Sequence, residues 1–133
     1  YDAWDELKEF NQIRMFRWYG IKKAWEGVVR PRAADLIDVL AQARKPSGPY
    51  WVILPSFGGN DENSYYGNAV PGQIRSMMHL SAANTAQGIV FYKLHGKNAL
   101  LGAASQAPPD GKWAAAGEVA AKIAANAKRL RSL

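Results

Sequence analysis

Two acids, Asp61 and Glu62, stand side by side in the stretch PSFGGNDENSYYG. Around them lie Ser56, Phe57, Asn60, Asn63, Tyr65 and Tyr66, and the short stretch KLHGKN adds Lys93, His95, Lys97 and Asn98. A carboxyl group can give or take a proton in general acid–base chemistry. Tyr65 and Tyr66 each offer a flat apolar ring with a hydroxyl, a combination that suits a sugar. Histidine changes charge near neutrality, so His95 fits a proton donor or a hydrogen-bond partner. Plainer readings stand beside these. Asp61 and Glu62 among Gly58, Gly59, Asn60 and Asn63 also make a solvated turn, and neighbouring acids on an extended loop point different ways. The tyrosines can pack over a rim, and a lone histidine often serves a structural hydrogen bond. His79, within a helical pattern, reads as structural or exposed.

Several chemistries lack their residues. The 133-residue chain has no cysteine, which removes disulfides, thiol nucleophiles and cysteine metal sites and leaves the compartment open. Two separated histidines give no metal spacing, so no metal is expected. Neither GxGxxG, a P-loop nor GxSxG occurs, which disfavours nucleotide chemistry and serine hydrolysis and leaves no cofactor expected. No apolar run approaches the roughly 20 residues of a membrane span. The net charge is +6. Its basic residues gather at Arg14, Arg17, Lys22, Lys23, Arg30 and Arg32, then at Lys122, Lys128, Arg129 and Arg131. Trp18, Tyr19 and Trp25 fall among the first group, as in a nucleic-acid reader. The second group suits the carbonyl end of a helix, and solvated faces account for both.

The candidate side chains sit on loops, so the elements before the loops decide where they lie. Tyr50–Leu54 and Gly88–Tyr92 are continuous apolar runs, expected as strands covered on both faces. A helix starts near Pro31, with Ala33, Leu36, Ile37, Leu40 and Ala43 on one side, and stops before the breaker run KPSGP. Another starts at Pro71, whose missing N–H suits the first turn, and buries Ile74, Met77, Met78, Ser81, Ala82 and Thr85. A third follows the Pro108, Pro109 and Gly111 turn, with Trp113, Ala116, Ala120, Ile123, Ala127 and Leu130 along one face. Residues 1–30 read as a lead-in, a helix followed by irregular chain, with a strand from Arg14 to Ile21 as the alternative. From Pro31 the order is helix, strand, helix, strand, helix, which is α/β architecture with right-handed parallel crossovers. Two or three strands cannot satisfy a doubly covered parallel sheet, so the pairing partners are expected elsewhere. The opening Tyr1, with no signal-like apolar segment, suggests either a segment removed upstream or part of a longer protein.

The run KPSGPYWVILPSFGG resembles the seventh strand of (β/α)8-barrel glycoside hydrolases and glycosidase-like proteins. VPGQIRSMMHLSAANTAQGIVFYKLHG resembles the helix and eighth strand that follow, through Pro71, Arg75, Gly88-Ile89 and Phe91-Tyr92, and the segment from Trp113 resembles the terminal helix. The resemblance covers residues 31–133 and implies the last βα units of a TIM-type barrel, incomplete in this chain. It implies a carbohydrate ligand met by the loops after the strands. The acid from this segment is then Asp61 or Glu62, with Ser56, Phe57, Asn60, Tyr65, Tyr66, Lys93 and His95 as substrate contacts. Retaining members carry a nucleophilic glutamate at the end of strand seven. Here Pro55, Ser56 and Phe57 occupy that place, and the acid/base glutamate would follow strand four, outside this chain. The partner implied is the remaining barrel segment or another polypeptide that supplies it. The alternatives are a non-enzymatic scaffold or interaction subunit completed by another chain and, less favoured, a basic nucleic-acid-binding protein.

Overall fold

The computed structural model describes residues 13–19, 33–45, 48–56, 69–94, 100, 111–130 and 132. Three parallel strands form one sheet in the order β1 (Arg14–Arg17), β2 (Tyr50–Pro55), β3 (Gly88–Tyr92). The helices are α1 (Ala33–Arg44), α2 (Pro71–Ala83), α3 (Lys112–Ala125) and the single turn α4 (Ala127–Leu130). The expected helix–strand–helix–strand–helix order and the parallel pairing both stand. In the lead-in the alternative holds in part: Arg14–Arg17 is a strand, at the start of the Arg14–Ile21 stretch offered as one, where irregular chain was favoured. Its four residues, Arg-Met-Phe-Arg, alternate between half-buried and exposed, and pairing along β2 decides its state. Arg14 N–H donates to the Pro49 carbonyl and Trp18 N–H to that of Ile53, at 3.3 and 3.0 Å. The helix expected ahead of it falls in residues outside those described.

Register places the side chains. Arg14 aligns with Tyr50 and Phe16 with Val52, while Val52 aligns with Ile89 and Leu54 with Phe91. Partners in register point the same way, so these residues share one face. That face carries the core: Tyr50, Val52 and Leu54 are buried against Leu36, Leu40 and Ala43 of α1, Ile74, Met77 and Met78 of α2, and Ala115, Ala116 and Val119 of α3. Phe16, Trp18, Ile89 and Phe91 pack along its edge. Consecutive strand order with crossovers of one hand puts all the helices on one side, as observed.

The other face carries Met15, Trp51, Ile53, Val90 and Tyr92, and none of these belongs to the core cluster. Trp51, Ile53 and Val90 are half-buried, while Met15 and Tyr92 are exposed. The expectation that both strands are covered on both faces is therefore corrected. β2 is buried on its helix side only until Pro55, and no residue of β3 is fully buried. A double covering needs a second layer, and among the described residues the helices supply one.

Helix α2 begins as expected. Pro71 occupies the first turn and Gln73 Oε1 accepts the Val70 N–H at 3.0 Å. Ile74, Met77, Met78 and Ser81 are buried, Ala82 is half-buried, and Thr85 lies past the helix end, exposed, with φ 65°. The Tyr50 hydroxyl donates to the Asn84 carbonyl, tying the start of β2 to the end of α2, and burial raises its pKa. In α1, Leu36, Leu40 and Ala43 are buried but Ile37 is 41% exposed. Gly111, in the left-handed region at φ 71°, turns the chain into α3. The buried stripe of α3 is Lys112, Ala115, Ala116 and Val119; of the expected stripe Ala116 is buried and Ile123 and Ala127 are half-buried. Trp113 and Ala120 face solvent. Alanines let α3 approach α2 closely, and an indole at that contact would hold the helices apart. Arg75 of α2 and Lys122 of α3 both reach Glu118, at 2.9 and 2.7 Å.

Two outcomes follow. Gly88 lies beside the Trp51 ring, and a Cβ there would sit 2.4 Å from the indole. Gly88→Ala is expected to destabilise the protein by about 1–3 kcal/mol, the usual cost of overpacking, in urea unfolding; an unchanged midpoint would count against this packing. The Glu118 carboxyl is held down to about 2, first by the hydrogen bond from Lys122 and then by that from Arg75. A carboxyl with a lowered folded pKa stabilises fully above its unfolded value and loses that contribution as pH falls through its folded one. The Tm difference between the wild type and Glu118→Gln should therefore be greatest above pH ~4.5 and vanish towards pH ~2, and added salt should shrink it.

Candidate functional site

In parallel sheets ligands gather beyond the C-terminal strand ends. Here those ends carry Trp18 and Tyr19 after β1, Pro55 and Ser56 at the end of β2, and Tyr92, Lys93 and Leu94 at the end of β3. Pro55 is aligned with Tyr92. Continuing the β1 register by two residues brings Tyr19 beside Pro55 from the other side. The two tyrosine rings meet there, stacked at 5.7 Å between centroids with 28° between planes. Pro55, between the two tyrosines in register and on the face without helices, is fully buried. The Arg17 guanidinium lies 5.4 Å from the Tyr19 centroid, a cation–π contact on the same face. Tyr92 remains 52% exposed, so the stack offers an aromatic surface to solvent at the mouth of the sheet.

Beneath this surface is a hydrogen-bonded knot. Ser56 is fully buried; its N–H donates to the Tyr92 carbonyl and its Oγ to the Lys93 carbonyl, both at 2.8 Å. Lys112, also fully buried, donates from Nζ to the Ser56 carbonyl at 3.3 Å. The Tyr92–Lys93 peptide is cis, and the Lys93 carbonyl further accepts the Leu100 N–H at 3.2 Å.

Of the residues expected at the site, Ser56 and Lys93 are described, and the structure joins them directly. Ser56 sits under the surface with its hydroxyl committed to the backbone; Lys93 is exposed at the mouth. Phe57, Asn60, Asp61, Glu62, Tyr65, Tyr66 and His95 lie outside the described residues. His79 is exposed on α2, in keeping with its plain reading. Tyr92 and Lys112 were not among the expected site residues, and Arg17 and Tyr19 entered only as part of the early basic and aromatic group. A tyrosine that closes a strand before a polar loop is the signal for Tyr92. No group of three or more potential metal ligands occurs among the described residues. Comparison with protein-family models, curated proteins and solved structures finds no match.

The aromatic surface makes its own test. Tyr92→Ala should uncover Pro55 and Tyr19. Loss of the pair is expected to destabilise the protein by about 0.5–1.5 kcal/mol beyond the lost area, measured as the coupling energy in a Tyr19→Ala/Tyr92→Ala double-mutant cycle. Additive single effects would mean that the rings do not interact.

Proposed function

We propose that the chain forms the last βα units of a (β/α)8 barrel of glycoside-hydrolase type, and that its mouth binds or hydrolyses a glycan. The observation that carries the reading is the exposed Tyr92 ring, stacked on Tyr19 at the C-terminal strand ends. It offers what a pyranose requires: a flat apolar face for ring C–H groups, a phenol at its edge, and cationic donors nearby in Arg17 and Lys93. The one-sided sheet supports the barrel part. A sequential parallel sheet with every helix outside leaves an apolar inner face, which closure by further parallel strands would cover.

In this reading the remaining barrel segment, in the same polypeptide or a partner, supplies the other strands. Asp61 or Glu62 is the acid contributed by this segment, with Tyr65, Tyr66 and His95 as further sugar contacts. Two carboxyls must flank a glycosidic bond, about 5 Å apart for retention and wider for inversion. Pro55 and Ser56 leave the end of β2 without one, so the second carboxyl comes from another strand. A second reading, a non-enzymatic subunit completed by another chain, is favoured by β3. Its residues are Gly-Ile-Val-Phe-Tyr, it pairs only with β2 among the described strands, and none of it is fully buried.

Calorimetric titration with a panel of neutral hexasaccharides tests the glycan reading. Binding is expected to weaken roughly 2- to 13-fold in Tyr92→Ala, corresponding to about 0.5–1.5 kcal/mol of stacking. It should hardly change between about 50 and 200 mM salt, whereas a nucleic-acid site would lose affinity steeply over that range. No binding by any hexasaccharide, together with salt-sensitive binding of an oligonucleotide, would overturn the reading. Assembly with a second polypeptide and no hydrolysis would select the scaffold.

A further inference from the structure

Lys112 is an unexpected residue to bury. An ammonium taken out of water costs several kcal/mol unless hydrogen bonds replace its hydration. It also opens α3, at the end of the helix dipole that disfavours a cation. Both arguments oppose a lysine at this position, so what it holds bears on why it is there. One of its three donors reaches the Ser56 carbonyl in a buried bond. Ser56 in turn holds two successive carbonyls at the end of β3, Tyr92 through its N–H and Lys93 through its Oγ. Tyr92 is the ring exposed at the mouth, and Lys93 is exposed beside it.

We infer that Lys112 is a positioning residue for the mouth. Through Ser56 it sets the course of the backbone at Tyr92 and Lys93, and with it the angle at which the Tyr92 ring lies on Tyr19. This deepens the glycan reading and rests on it only for the meaning of the mouth. The arrangement has a physical economy. Among the described strands β3 is paired on one side only, so a tether from another layer helps to fix its last residues. A lysine reaches from the helix layer through the core with a flexible stem and delivers a point donor at its tip.

The test uses the full chain and three variants: Lys112→Met, which keeps the length and removes the donors, Lys112→Arg, which keeps the charge, and Ser56→Ala, which removes only the Oγ bond. Proton NMR reads the ring-current shifts of Tyr19 and Tyr92, and amide exchange reads Ser56 N–H against Val52, Met77 and Met78 in the core. In Lys112→Met the tyrosine shifts are expected to relax towards unstacked values and Ser56 exchange to rise by about tenfold or more, while the core amides keep their protection. Lys112→Arg should restore the stacked shifts in whole or part, and Ser56→Ala should show the same displacement more weakly. Unchanged tyrosine shifts in a folded Lys112→Met protein would overturn the inference. Uniform acceleration of every amide would overturn it too, because the lysine would then contribute general stability alone. If Lys112→Met does not fold, Lys112→Gln, whose shorter amide cannot reach the Ser56 carbonyl, decides: unmoved tyrosines in that variant reject the tether. Neither readout involves a glycan, so a failure here leaves the hexasaccharide titration to stand or fall separately.

Discussion

Everything described in this chain is arranged around β2, the strand hydrogen-bonded on both sides. A buried backbone must pair its N–H and C=O groups, and β2 does so with β1 on one edge and β3 on the other. Its register is strongly specified, because a slip of one residue would exchange Val52 and Leu54 for Trp51 and Ile53 against the helices. Bulk enforces the same choice locally. The Trp51 indole lies where only a glycine fits on β3, so Trp51 and Gly88 are locked side by side. Once that register is set, Tyr92 must fall opposite Pro55, and Tyr19 follows from the pairing of β1. The aromatic surface at the mouth is thus a consequence of strand alignment far below it.

The layers on the helix side are finished in a way that the inner face is not. Leu36, Leu40, Ile74, Val52, Leu54 and Val119 are fully buried, and Ser81 Oγ, deep in the same layer, donates to the Met77 carbonyl at 2.8 Å. The helices are further tied to one another through Glu118 at the surface, where an exposed ion pair adds little. Apolar packing therefore does most of the holding. On the inner face, Trp51, Ile53 and Val90 are only half-buried, and water reaches side chains that would gain about 25 cal/mol for each Å² removed from it. In the barrel reading, strands added beyond the sheet edges would close over this face and claim that gain.

What was legible in the sequence follows from how locally each feature is determined. The strands Tyr50–Leu54 and Gly88–Tyr92 and the start of α2 at Pro71 stood out because apolar runs, breakers and proline act over a few residues. β1 was legible only as an alternative, since four residues bracketed by arginines become a strand only by pairing. The α3 stripe was legible only in part: spacing alone placed Ala116 and Ile123 on the core side, but close packing on α2 selected Ala115 and Val119 over Trp113 and Ala120. Lys112 carried no warning, as charge at a helix start normally means solvent. The Tyr19–Tyr92 pair joins residues far apart in the chain through two registers, and no window along the sequence contains it. Among the candidate site residues, Ser56 and Lys93 proved to be neighbours because both lie at strand ends, which a parallel architecture already brings together.

In the barrel reading, the half-buried sheet face and the mouth are parts of one problem. Tyr92, Arg17 and Lys93 are now partly or wholly in water, where stacking and charge are weakened by the high dielectric. Strands added beyond β1 and β3 would narrow the space above Trp51 and Ile53 and draw the Tyr19–Tyr92 stack into the wall of an enclosed site. The same side chains would then meet a sugar in drier surroundings, with stronger polar contacts and less freedom to move. A ligand that spans both the stack and those strands would bind only the closed state and would stabilise it by mass action. In that arrangement completing the sheet and gripping the glycan are linked equilibria, and the tie from Lys112 through Ser56 holds Tyr92 ready for both.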